Sequence, residues 1–176
     1  MQIETICNII DGKLLNNPTI SSTSSYHIDP KKIKYGDTYI CFDKSKIKEA
    51  ISFGAFVIIA DFLDDRYIKQ DNDIAWIIVE DIKDATVSLK RFLLSTQDTK
   101  AYFCDKITYE LFRDILVSKD IVKFLKDDIR YDFDIINNNT NNIVYISQNR
   151  HYLKNIFPLC KILNEKKQIK PTELQI

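Results

Sequence analysis

Two histidines, four cysteines and a scatter of carboxylates are the groups in this 176-residue chain with chemical potential, and their spacing builds no catalytic motif. Neither His27 nor His151 has a carboxylate or thiol at metal-ligand spacing. His27 lies close to Ser24, Ser25 and Asp29, so a serine–histidine–aspartate grouping can be drawn. Triads are normally assembled from distant segments, and the better reading is a solvated polar loop. The pairs Asp64–Asp65, Asp71–Asp73, Asp127–Asp128 and Asp132–Asp134 could face a divalent cation, but none fits a calcium loop with its central glycine and terminal glutamate. Cys7, Cys41, Cys104 and Cys160 are far apart, without a C-x-x-C pair, and three of them sit in apolar runs where a thiol behaves as a small core residue. The expectation is no catalytic residue, no metal and no cofactor.

Glycine is the scarcest resource. Gly12, Gly36 and Gly54 are the only three, too few and too scattered to build a phosphate-gripping loop. Basic and acidic residues balance at 25 each, so no net field draws the chain to nucleic acid or anionic lipid. The run Lys31, Lys32, Lys34 reads as a solvated turn. Hydrophobic residues make up 45% of the chain, enough to bury a core, and no run approaches the ~20 apolar residues of a membrane span. The N-terminus lacks a signal-peptide pattern, which predicts a cytoplasmic protein.

The elements that must position these groups alternate between strand and helix. Ile3, Ile6, Cys7 and Ile10 have helical spacing, closed by Asp11-Gly12. Leu14-Leu15 reads as a short strand, Asn16-Asn17-Pro18 as a turn and Ser21 to Ser25 as a polar connection. After a turn at Tyr35-Gly36-Asp37, residues 38 to 42 form a strand, and a helix runs from Lys46 to Phe53 with Gly54 at its end. Ala55 to Ala60 and Ala75 to Val79 are continuous apolar runs, the signature of strands covered on both faces in a parallel or mixed sheet. A helix from about Ile82 to Ser95 turns Ala85, Leu89, Phe92 and Leu93 to one face. Ala101 to Cys104 is a strand, Tyr109 to Val117 a helix, and the polar stretch Ser95 to Lys100 marks a boundary. Further on, Ile121 to Leu125 and Phe157 to Leu163 read as helical, Ile143 to Ile146 as a strand, Asn137 to Asn142 as a loop and Lys166 to Ile176 as a tail. This is α/β architecture. Aromatic residues are frequent in the less regular second half, where those left exposed would suit a protein interface.

Three segments in order resemble Mur ligase N-terminal domains of the MurE/MurF type. Residues 29 to 42, Asp-Pro-Lys-Lys-Ile-Lys-Tyr-Gly-Asp-Thr-Tyr-Ile-Cys-Phe, resemble the family's Asp-Ser-Arg…Pro-Gly-Asp-Leu-Phe-Phe-Ala-Leu signature. Residues 49 to 59 look like its Ala-x-x-x-Gly-Ala helix-to-strand junction, and residues 79 to 85 are similar to its Val-x-Asp-x-x-x-Ala element. The resemblance implies a Mur-ligase-like N-terminal α/β domain over 1–97 and a shortened second α/β unit over 98–176 that looks like the start of the family's ATPase domain. It also implies ligand contacts on the uridine side at Ser24, Ser25, Asp29, Lys31 and Asp37.

The departures bear on function. Only Asp43-Lys44-Ser45 stands where the family carries a Gly-rich, substrate-enclosing segment, and Asp-Ser-Arg has become Asp29-Pro30-Lys31, which loses a backbone donor and the bidentate fork of arginine. Where the family's Gly-x-x-Gly-Lys-Thr-Thr loop would follow the next strand, the chain has Asp105-Lys106-Ile107-Thr108. Lys106 and Thr108 hold the place of a degenerate phosphate loop without its glycines, and Asp105 would repel ATP. By the same resemblance, 176 residues are expected to leave no room for a full ATPase domain and the family's C-terminal domain. These features point to a non-catalytic, Mur-ligase-derived binding or scaffold protein, touching cell-wall synthesis through an unidentified protein partner. Alternatives are a small-molecule binder that retains recognition of a UDP-sugar or nucleotide without turnover, and an enzyme of unrelated chemistry.

Overall fold

Alternation at a period of two decides the first half of the fold. In the run Ala55–Ala60, Val57 and Ile59 belong to one apolar cluster and Ile58 and Ala60 to another, because successive strand residues point to opposite faces. A strand buried on both sides has to lie inside a three-layer sandwich, and the computed structural model shows that arrangement. It describes residues 1–63, 68, 73–97, 99–116, 121–136 and 143–163.

Helix α1 (Ile3–Ile10) leads to β1 (Lys13–Leu14), β2 (Tyr26–His27), a 3-10 turn (Pro30–Lys32) and β3 (Asp37–Ile40). A second 3-10 turn (Lys44–Lys46) precedes α2 (Ile47–Ser52), β4 (Ala55–Ala60), β5 (Ala75–Ile78) and α3 (Ile82–Leu94). The first sheet has the order β1-β5-β4-β3-β2; β2 to β5 are parallel, and β1 closes the edge antiparallel to β5. One face is covered by α1 and α3; Ile47 and Ala50 of α2 pack on the other with Tyr39, Cys41 and Trp76.

The second half contains β6 (Lys100–Phe103), α4 (Lys106–Ile115), β7 (Val122–Phe124), α5 (Ile129–Asp132), β8 (Val144–Ser147), α6 (Arg150–Ile156) and β9 (Lys161–Ile162). Its all-parallel sheet has the order β7-β8-β6-β9. Tyr109 of α4 packs on one face with Cys104 and Ile146, while Leu153 and Ile156 of α6 join Ala101 and Tyr145 on the other.

Helix α3 ties the halves together. Ile82, Ala85 and Leu89 are buried in a single cluster that runs from Ile3 through Val57 and Ile77 to Leu125, Tyr145 and Phe157. Lys90 is buried on the same helix; its Nζ donates to the Ile136 carbonyl at 3.0 Å and lies 3.7 Å from the Phe133 ring centroid. Burial pulls its ammonium down to about 8.

Several sequence expectations need correction. The inward face of α3 includes Thr86, Lys90 and Leu94, whereas Phe92 is 44% exposed. Lys90 has the partners a buried cation needs, so the helix can bury a wider stripe than its apolar residues mark. Helix α4 begins at Lys106, three residues before Tyr109, because Asp105 caps it. The segment read as helical at Ile121 to Leu125 is β7, whose β-favouring Val122 and Phe124 pack in the cluster under α4. In place of a helix over Phe157 to Leu163, α6 lies earlier, at Arg150–Ile156, and β9 follows. Asn149 starts that helix by accepting from the Tyr152 amide at 3.0 Å. The expected loop at Asn137 to Asn142 and the tail beyond Lys166 lie outside the described residues.

Candidate functional site

At the amino end of the first sheet, everything converges on Asp37. It is 3% exposed, and its two carboxylate oxygens accept separately from the Ser25 amide at 3.1 Å and the Lys34 amide at 2.8 Å. His27 Nε2 approaches the second oxygen at 3.3 Å. The register of β3 on β4 shifts between Asp37 and Thr38, so the strand begins at an irregularity where a side chain substitutes for ladder bonds. Thr23 Oγ1 donates to the Gly36 carbonyl and accepts from Thr38 Oγ1, which stitches the hydroxyl-rich connection to the same corner. Of the residues assigned to ligand contact, Ser24 and Ser25 have exposed side chains here, whereas Asp37 faces inward and holds the loop.

Asp29 and Lys31 sit at the opposite, carboxyl end of β2 and are exposed. Asp29 accepts from the Lys31 amide at 3.0 Å and so caps the Pro30–Lys32 turn. The neighbouring Lys32 Nζ reaches Asp134 Oδ2 at 2.7 Å, an ion pair that joins this turn to the second half of the chain. The five assigned residues therefore divide into two groups at the two ends of β2. Histidine 27, which the sequence placed near Asp29, has Asp37 as its carboxylate neighbour. The segment after β3 is equally local: Asp43 accepts from the Ser45 amide and hydroxyl, which hold its carboxyl below the usual range.

The second sheet has a topological switch point. Strand β6 leads through α4 to β7, beyond β8, and β8 leads through α6 to β9, beyond β6. Crossovers from these two neighbours leave in opposite directions, and the crevice at their carboxyl ends is where open α/β sheets bind ligands. Asp105 stands there as the N-cap of α4, accepting from the Thr108 amide at 3.0 Å and from Thr108 Oγ1 at 2.8 Å. Lys106, the first residue of the helix, is exposed. All three assigned residues are thus together at the helix start, with the carboxylate on the Thr108 amide and hydroxyl.

Beside them, at the end of β8, the fully buried Ser147 donates from Oγ to Asp127 Oδ1 at 2.5 Å and accepts from the Asn149 amide at 2.9 Å. Asp127 is left-handed, with φ 63°, and burial raises its carboxyl above the usual range against the pull of the Ser147 hydroxyl. Asp132, with no exposed surface, accepts from the Lys126 amide at 2.8 Å and from Tyr152 Oη at 2.9 Å; desolvation raises it as well. Sequence reading noted the pairs Asp127–Asp128 and Asp132–Asp134 but gave Ser147, Asp132 and Tyr152 no role. Their partners are 20 residues away, and no local pattern carries that pairing.

Cys41 and Cys104 offer little nucleophilicity. Burial pushes the Cys41 thiol up to about 12 and Cys104 up to about 11, so both stay protonated at neutral pH. Among the described residues, no group of three or more His, Cys, Asp or Glu side chains could hold a metal ion, and no helix is long and apolar enough to cross a membrane. Asp64, Asp65 and Asp71 lie outside the described residues.

The fold resembles part of that of Mur ligases of known structure. A crystal structure of MurF from Acinetobacter baumannii superposes with a TM-score of 0.61 at 14% identity, over 93% of this chain and 40% of that one. MurF ligase from Thermotoga maritima, solved in complex with ADP, gives 0.52 at 19% identity, over 76% of this chain and 34% of that one. At these identities the likeness is one of fold, and this chain spans less than half the length of the MurF chains. No protein-family model matches the sequence, and no curated protein matches significantly.

Proposed function

We propose that this chain is a non-catalytic binding or scaffold protein on a MurF-like fold, cytoplasmic, and linked to peptidoglycan synthesis through a protein partner. The observation that carries the reading is Asp105. A helix start at the end of a parallel strand is a favourable place for a phosphate, because backbone N–H groups and the helix dipole face outward. In this chain the Asp105 carboxylate already accepts from the Thr108 amide, and the segment from Cys104 to Thr108 contains no glycine to fold further amides around an anion. The same place in the crevice carries Asp127, so an incoming nucleotide would meet carboxylates.

A second reading keeps the fold but gives it a ligand: recognition of a UDP-sugar or another nucleotide without turnover. Exposed polar side chains at the two ends of β2, Ser24 and Ser25 at one and Asp29 and Lys31 at the other, favour it, with Asp37 acting from behind to hold Ser25 in place. Thermal-shift titration with UDP-N-acetylmuramoyl peptides and, separately, with Mg-ATP distinguishes the two. Scaffold function predicts no shift with either at millimolar ligand, since a ligand selective for the folded state must raise the melting temperature. A shift with the UDP-sugar alone supports the second reading. ATP hydrolysis coupled to extension of the UDP-linked peptide would overturn both.

A further inference from the structure

A ring of hydrogen bonds closes at the crevice end of the second sheet, and it contains two carboxylates. Ser147 Oγ, at the end of β8, lies 2.5 Å from Asp127 Oδ1. The same oxygen accepts from the Asn149 amide, and the Asn149 side chain accepts from the Tyr152 amide. Tyr152 Oη donates to Asp132 Oδ2, and Asp132 accepts in turn from the Lys126 and Asp127 amides. The polar side of residues 126–132 is thereby docked on β8 and α6.

No positive charge balances the two acids. Among the described residues neither Asp127 nor Asp132 has an ion-pair partner. Arg130 is engaged by Asp128 and Arg113 by Glu110, while the Lys126 ammonium stands 5.3 Å from the Tyr131 ring centroid. Lys83 of α3 acts on Asp128. Facing the pair are Cys104 at the end of β6, with Asp105 beyond it, Tyr109 of α4 and Tyr152 of α6. Burial keeps that thiol and both phenols protonated at neutral pH.

The Ser147 hydroxyl has one hydrogen for two acceptors, Asp127 Oδ1 and the Asn149 carbonyl at 3.1 Å. With Asp127 ionised, that hydrogen goes to the carboxylate and the carbonyl is left out. With Asp127 protonated, the acid donates to Oγ and Oγ donates to the carbonyl, so every oxygen has a partner. The charge of Asp127 also reaches Asp132, and a proton on either acid removes that repulsion.

We propose that the ring is a pH switch: one proton held by the Asp127–Asp132 pair docks residues 126–132 on β8 and α6, and its loss releases them from the crevice. Release starts after Leu125, which is fixed by Tyr109 Oη on its carbonyl at 2.7 Å and by its own amide on the Ile146 carbonyl. It also relieves Asp127 of its left-handed backbone, φ 63°. Desolvation raises both carboxyls in the docked form, and release returns them to the usual range. The docked form therefore binds the extra proton. Docking is fully supported below the usual carboxylate range and weakens as pH rises through the raised one.

Amide hydrogen exchange of the full chain in reductant, followed as protection factors from about pH 4 to 8, tests the switch. The Lys126 and Tyr152 amides should lose protection by roughly tenfold towards the upper end, relative to the fully buried Ile58 in the first sheet. Asp127→Asn carries on its side-chain nitrogen the hydrogen that the neutral acid donates, so it should keep both amides protected throughout. Asp132→Asn should flatten the profile as well. A wild-type profile that is level, or a loss shared equally by Ile58, overturns the proposal; so does a folded Asp127→Asn protein that loses protection as the wild type does. The wild-type measurement needs no variant and decides the matter even where a substitution prevents folding.

Discussion

Asp105 and Thr108 are bonded twice over: the aspartate accepts from the threonine amide at 3.0 Å and from its hydroxyl at 2.8 Å. The helix start that closes the crevice of the second sheet is satisfied by the chain's own anion. Replacing Asp105 with Ala removes that acceptor and should cost about 1 kcal/mol, the usual worth of an N-cap. Asn at the same position caps nearly as well without the charge and should be close to neutral in urea unfolding. The pair of variants also separates two reasons for weak nucleotide affinity. If the missing glycines matter, Mg-ATP should leave the melting temperature of Asp105→Asn unmoved; a shift confined to that variant would assign the exclusion to the carboxylate alone.

Asp37 should be among the most sensitive polar positions in the first half. Its oxygens satisfy the Ser25 and Lys34 amides from within the fold. Alanine would leave two N–H groups without their acceptor, at roughly 1–3 kcal/mol each. Asparagine offers one acceptor oxygen where two are needed, so it should recover only part of the loss. His27→Ala should cost less than about 1 kcal/mol, because the imidazole is partly exposed and its contact with Asp37 is longer. Equal losses at His27 and Asp37 in denaturant unfolding would contradict this division.

How much of this was legible follows from where each signal is stored. The strands at Ala55–Ala60 and Ala75–Ile78 announce themselves through unbroken apolar runs, and the helix from Ile82 through the spacing of Ala85 and Leu89, while the cap that starts it, Asp81 accepting from the Lys83 and Asp84 amides, shows only in the structure. β7 was misread because three residues with one intervening lysine, Val122-Lys123-Phe124, fit a helix turn as well as a strand; only pairing with Val144 to Ile146 decides it. Lys90 was invisible for a similar reason. A lysine on an amphipathic helix reads as solvent-facing until Phe133 and the Ile136 carbonyl, some 46 residues on for the latter, supply its partners. Family resemblance offers Asp37 as a ligand contact; the hydrogen bonds its carboxylate accepts from the Ser25 and Lys34 amides, 12 and 3 residues earlier, show only in the structure.

Gly54 is fixed by two constraints at once. Its φ is +96°, and an added Cβ would stand 3.0 Å from the Cα of Tyr35. Its carbonyl also accepts from the Gly36 amide at 3.0 Å. Alanine must strain the left-handed backbone and push against main chain that cannot swing aside, so Gly54→Ala should destabilise by about 1–3 kcal/mol. A variant with an unchanged denaturation midpoint would mean that the turn at residues 34–37 shifts freely.

Lys90 makes stability depend on pH in a direction opposite to that of a paired surface lysine. Burial brings it from 10.5 down to about 8 in the folded chain. Between those values the unfolded chain keeps a proton that the folded chain has released, so the Lys90 contribution to stability rises as pH climbs through 8 towards 10.5. Below pH 8 the ammonium is buried in full, supported by the Ile136 carbonyl and the Phe133 ring. Lys90→Met keeps the volume and removes the charge. Its stability relative to wild type should therefore be most favourable near pH 7 and should decline by on the order of 1–3 kcal/mol towards pH 9.5. Comparing the two proteins at each pH cancels the buried thiols and phenols, which burial pushes up and which destabilise the fold as the unfolded chain ionises. Urea midpoints at pH 7 and 9.5 read the difference directly. If the gap between wild type and Lys90→Met stays constant, the ammonium is not losing its proton in that range, and the joint between α3 and Ile136 is held by a charge throughout.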